Sequence, residues 1–202
     1  MSAHGPRMLF GVFPRADLHA FEIVPATFAE LRASVPEEPR VHLNGFGLGD
    51  VAGPVTVNLY QSTALSSMLA LDTDRSIIGQ VGSSVQRGAD YAASCGIDRI
   101  DVVKIDVEGA EGKVLSGFEP MISEGRIRLI QFEYNRGAIV GDFLLKHAYA
   151  FFSARGYRLG KLGPDGVLFH AYDVAYEDFV GPNYVACRQD DADLIGAIAV
   201  RQ

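Results

Sequence analysis

IDRIDVVKIDVEGAEGKVL, residues 97–115, is the stretch on which the fold turns. Val102, Val103, Ile105 and Val107 make a nearly continuous apolar run, the pattern of a strand with both sheet faces covered. Asp106 falls near the carboxyl end of that strand, where open α/β sheets bind their ligands. Gly109 lets the chain turn tightly into a helix expected over residues 110–116 and closed by Gly117. Glu108 and Glu111 follow within five residues of Asp106. Carboxylates grouped so closely repel one another, which calls for a cation, hydrogen-bond donors or a raised pKa. Glu111 is also placed to complement the positive end of the helix dipole.

Outward from this segment, short β-rich runs alternate with helix-like ones, the order of an α/β sheet with crossover helices. Strands are expected over residues 18–23, 41–46, 55–60, 100–107, 127–134, 157–162, 167–172 and 183–188. Pro25 opens a short helix with Phe28, Leu31 and Arg32 that ends before Pro36. A second helix is expected over residues 84–94, stopped by Gly96, and a third from an Asp142 cap to Gly156. The closeness of the last three strands suits an antiparallel edge. Residues 190–202 read as a short helix or a frayed tail, and no repeat or linker divides the single domain.

Composition removes several functions. With 18 basic against 25 acidic side chains, a net charge of −7 and a pI near 5.2, the chain lacks the basic face that nucleic acid or anionic membrane would demand. No apolar run approaches the roughly 20 residues of a membrane span. The opening MSAHGPRMLFGVF has no signal-peptide order, so a cytoplasmic location is expected. Cys95 and Cys187 stand apart without metal-ligand spacing and read as reduced thiols.

Three further strand ends carry acids. Glu22, in LHAFEIVP, occupies the place where nucleotide-binding folds hold the vicinal hydroxyls of a ribose, although a lone carboxylate there also reads as a cap. NGFGLGDVAGPV, residues 44–55, runs a strand into Gly47, Leu48, Gly49 and Asp50; it reads as an ordinary turn or as backbone brought close to a ligand. IRLIQFEYN, residues 127–135, ends on Glu133, Tyr134 and Asn135. In a doubly wound sheet, Glu22, Asp50, Asp106 and Glu133 would converge on one crevice. His147 and His170 lie among Phe, Leu and Tyr and read as packed or surface residues, and His19 and His42 sit in strands without an evident partner. A metal-dependent hydrolase built on Asp106, Glu108, Glu111 and Glu133 lacks supporting histidines and ligand spacing.

At these residues the chain resembles the FkbM-type family of S-adenosylmethionine-dependent methyltransferases. AFEIVPATFAEL is similar to the family's acidic second motif, NGFGLGDVAG to its third, and KIDVEGAEGKVLSGF with IQFEYN to its fourth and fifth; FVGPNYVACR resembles its C-terminal strand. The resemblance implies a Rossmann-like methyltransferase sheet, mostly parallel with an antiparallel C-terminal edge. It also implies O-methylation of a sugar, glycolipid or secondary-metabolite hydroxyl. Glu22 would then hold the ribose, Ile23 with Gly49 and Asp50 the adenine, and Asp106 the methionine side. Asp106, Glu108 and Glu133 are the candidate bases, with magnesium as a candidate helper suited to hard oxygen ligands.

The family's glycine-rich first motif should precede Leu18 by some twenty-odd residues, where only seventeen stand. The domain is therefore expected to lack its first strand and loop, with residues 8–13 ending the helix that follows them and Gly5 a remnant of the loop. Either the chain is a truncated or misannotated start of a longer enzyme, or the gap is covered by rearrangement or by self-association as a homodimer. The alternative function is a non-catalytic, methyltransferase-like binding or dimerisation module.

Overall fold

The computed structural model describes residues 15–60, 66–70, 76–180 and 183–200. The expected helix end over residues 8–13 and the remnant at Gly5 lie outside them. Among these residues the fold is mixed α/β, with parallel and antiparallel strands in three sheets rather than the single, mostly parallel sheet expected.

In the first sheet, β1 (Leu18–Phe21) and β2 (Val41–Asn44) pair in parallel, Leu18 opposite Val41. Parallel neighbours need a crossover, and α1 (Pro25–Ser34) supplies it. Pro25 starts the helix because its fixed φ suits the first turn and its missing N–H would find no intrahelical partner there.

The second sheet departs from expectation. β3 (Gly47–Gly49), β4 (Gly53–Leu59) and β5 (Gly79–Arg87) are arranged with β5 central, parallel to β3 and antiparallel to β4. Residues 84–87, expected in a helix, thus continue a strand, and α2 (Gly88–Ser94) begins only at Gly88. Gly88 is required by contact: a Cβ there would lie 2.4 Å from the Phe118 ring.

The five-stranded sheet carries the central run. Its order is β6 (Ile100–Ile105), β7 (Ile127–Glu133), β10 (Asn183–Arg188), β8 (Tyr157–Gly163) and β9 (Gly166–Phe169). β6 and β7 are parallel, joined through α3 (Glu111–Gly117) and α4 (Glu119–Ser123). The last three strands are antiparallel as expected, but only β8 and β9 form the edge; β10 lies between β7 and β8 and is buried along most of its length. The apolar run of β6 is covered on one face only. Ile105 is buried, whereas Val102 is 58% exposed.

The helix expected from Asp142 to Gly156 is α6 (Leu145–Ser153), and a short helix not expected from the sequence, α5 (Gly137–Val140), precedes it. Asp142 does not cap α6; it takes a positive φ of 51° in the connection. The Leu144 N–H instead donates to His147 Nδ1, and the Leu145 and Lys146 N–H groups donate to the Glu177 carboxylate. α6 packs Phe152 against Phe132 of β7, with ring centroids 5.9 Å apart, and Phe132 in turn stacks on Tyr184 of β10. Residues 192–198 form α7 (Ala192–Ile198), capped by Asp191, which accepts from Leu194 N–H.

Candidate active site

β6 and β7 run in parallel with Ile105 opposite Phe132, so the residues that follow, Asp106 and Glu133, emerge side by side. The turn after β6 brings Glu108 back to them. Asp106, Glu108 and Glu133 each offer one carboxylate oxygen, all within 4.8 Å of one another.

The repulsion anticipated from sequence is relieved by identifiable partners. Lys104 Nζ lies 2.6 Å from Asp106 Oδ2. Asn135 Nδ2 donates to Glu108 Oε2 at 3.3 Å, while Asn135 Oδ1 accepts from Gly137 N–H. For Glu133, burial first and then the Asp106 charge raise the pKa above the ordinary carboxyl value, with Lys104 and Asn135 opposing them. Glu111 is the buried member, 5% exposed, and its Oε1 accepts from Val107 N–H at 3.2 Å. Its pKa is raised to about 7 by desolvation, with Glu108 adding to the effect and backbone donors opposing it. The reading of Glu111 as a simple partner of the helix dipole therefore misses its main contact, which is with the turn preceding the helix.

That turn is tightly determined. Glu108 has a φ of 52° and Gly109 one of 99°. A Cβ on Gly109 would stand 2.7 Å from the Gly137 carbonyl oxygen, and one on Gly141 1.9 Å from that of Gly109. Glycine is needed at Gly109 for its conformation and its contact alike.

The other expected site residues have separate partners. Glu22 Oε1 accepts from Val24 N–H at 2.8 Å, just beyond β1. The Ile23 carbonyl accepts from Ser83 Oγ of β5, and the Ile23 side chain packs where a Cβ on Gly47 would sit. Asp50 pairs with Lys113 of α3 at 3.4 Å. The Gly49 carbonyl lies against Gly117. Close approach in the glycine-rich stretch is thus made to the chain's own atoms. Among the described residues, the carboxylates that meet directly are Asp106, Glu108 and Glu133.

Sequence reasoning missed Ser67. It is buried, and its Oγ donates to the Glu108 carbonyl at 2.8 Å. It also missed Glu177, whose carboxylate accepts from the hydroxyls of Tyr134 and Tyr172 as well as from the start of α6. His19 and His42 prove to be mutual partners, their rings stacked 4.4 Å apart across β1 and β2.

A family model described as methyltransferase FkbM domain matches residues 10–159. Neither a curated protein nor a solved structure matches the chain. No helix among the described residues is long and apolar enough to cross a membrane.

Proposed function

Since the chain belongs to the FkbM methyltransferase family, we propose that it methylates a hydroxyl of a sugar, glycolipid or secondary metabolite with S-adenosylmethionine as donor. The observation that carries this reading is the meeting of Asp106, Glu108 and Glu133 at the ends of two parallel strands. We take β1, α1 and β2, and β6, α3 and β7, which lie in separate sheets, as the two parallel β-α-β units of a Rossmann-like arrangement.

Bound S-adenosylmethionine supplies a methyl group activated by its sulfonium. Around that donor, Glu22 holds the ribose: Val24 N–H engages Oε1, leaving lone pairs on both oxygens for two hydroxyls. Ile23, Gly49 and Asp50 border the adenine, and Asp106, with its charge balanced by Lys104, faces the methionine side. Glu108 takes the proton from the acceptor hydroxyl. Its Oε2 is oriented by Asn135. Glu133 binds the acceptor beside it. General-base help of this kind contributes about 10²–10⁴ in rate, while orientation can contribute roughly 7–11 kcal/mol.

The same three carboxylates are hard donors of the type magnesium takes, and bound magnesium would acidify the acceptor hydroxyl. Lys104 already supplies a positive charge to one of them. Transfer should therefore persist in EDTA.

The test is release of S-adenosylhomocysteine during incubation with S-adenosylmethionine and a panel of sugar, glycolipid and phenolic acceptors. Turnover with one acceptor, reduced at least a hundredfold in Glu108→Gln, is the expected result. Full turnover by Glu108→Gln would remove Glu108 from its role.

A further inference from the structure

Three polar residues are buried among the described residues: Asn58, Ser67 and Glu111. All three belong to contacts that lead to the turn over residues 107–110. Burying polar groups is unfavourable unless each is hydrogen-bonded, so this concentration on one short turn needs an explanation.

The contacts divide between two sides. From within, Glu111 reaches back from the start of α3, and Val107 N–H donates to its Oε1 at 3.2 Å; Gly109 N–H also acts on this carboxylate. From the neighbouring sheet, Ser67 Oγ donates to the Glu108 carbonyl at 2.8 Å. Ser67 is itself fixed by an antiparallel bridge to Asn58 of β4, with N···O distances of 2.9 and 3.2 Å. Asn58 is held in turn by Gln80 of β5, whose Nε2 donates to Asn58 Oδ1 at 2.8 Å. Neither Ser67 nor Glu111 is among the three carboxylates that meet at the site. What they grip is the backbone on either side of the Glu108 Cα, which has a φ of 52°.

A non-glycine residue in this conformation persists where its surroundings over-determine it. We propose that Ser67 and Glu111 are positioning residues that clamp the turn over residues 107–110 from opposite sides and so aim the Glu108 carboxylate at the acceptor. The aiming rests on the methyl-transfer reading; the clamp itself does not. The three-stranded sheet thereby acquires a function: through β4, β5 and Ser67 it braces the turn that presents the base.

The experiment uses the full chain labelled with ¹⁵N, as wild type, Ser67→Ala, Glu111→Ala and Glu111→Gln. Amide hydrogen exchange at Val107 and Gly109 should accelerate at least tenfold in Glu111→Ala and return to within threefold of wild type in Glu111→Gln, which keeps an acceptor oxygen. Ser67→Ala should shift the Glu108 and Gly109 amide resonances while leaving those of Phe132 and Phe152 in place. With an acceptor that supports turnover, Ser67→Ala and Glu111→Ala should lower kcat at least tenfold with KM for S-adenosylmethionine unchanged.

Unaltered exchange at Val107 in Glu111→Ala, or unaltered Glu108 and Gly109 resonances in Ser67→Ala, would overturn the clamp. If Glu111→Ala does not fold, Glu111→Gln and Ser67→Ala still decide it. The Gln variant must preserve Val107 protection, and the Ser67 variant must move the turn resonances. A wild type that fails to bind S-adenosylhomocysteine would instead defeat the methyl-transfer reading, with the exchange result still standing on its own.

Discussion

Glu111 shows how burial can give one carboxyl group a different working range from its neighbours. Its pKa is about 7 in the folded chain, against an ordinary value of 4.5. Between those pH values the folded state holds a proton that the unfolded chain has released. The associated stability is therefore complete below pH 4.5 and is lost as pH rises through about 7. Glu111→Gln cannot titrate, so it should gain on the wild type by roughly 3 kcal/mol across this window, as read from urea denaturation at several pH values. A stability difference independent of pH would refute the burial effect. Gly109 gives a second prediction at the same scale. Its φ of 99° and the 2.7 Å approach of the Gly137 oxygen leave no place for a side chain. Gly109→Ala should cost about 1–3 kcal/mol, measured by the same denaturation.

At the scale of elements, Glu177 joins parts distant in sequence. Its carboxylate satisfies the first N–H groups of α6 and receives the Tyr134 and Tyr172 hydroxyls, while Phe179 stacks on Tyr134. Glu177→Ala should lose about 2 kcal/mol, with faster hydrogen exchange at Leu145 and Lys146 as the local sign. Unchanged exchange there would show that α6 is capped otherwise. This contact also explains why the start of α6 was misread: Asp142 offered a local cap signal, whereas the actual acceptor lies more than thirty residues away. β5 was misread for a related reason. Within residues 84–87, only Val85 is buried, so the local pattern says little; what makes the segment a strand is pairing with both β3 and β4. The acidic site was more legible. Asp106 and Glu133 end adjacent apolar strands, and parallel pairing carries them together. Ser67 was not legible, because its link to Glu108 spans 41 positions and depends on an isolated bridge.

Across the whole molecule, the residues assigned to the cofactor are spread over different supports. Glu22 and Ile23 follow β1, Gly49 ends β3, Asp50 follows it and pairs with Lys113 of α3, and Asp106 follows β6. α2 links these regions: Tyr91 packs on Phe21 and Phe46 and its hydroxyl bonds His19, while Ala92 belongs to the core with Ile105. Methyl transfer requires the separately supported residues to answer to one ligand. The most direct measurement is a titration of the ¹⁵N-labelled full chain with S-adenosylhomocysteine, followed by amide resonances. The expected result is saturable movement of Glu22, Ile23, Gly49, Asp50 and Asp106 with a single dissociation constant, weakened about tenfold or more in Glu22→Gln. No movement at millimolar ligand, or movement confined to the opposite end of the sheet around Arg128 and Asp191, would contradict the assignment.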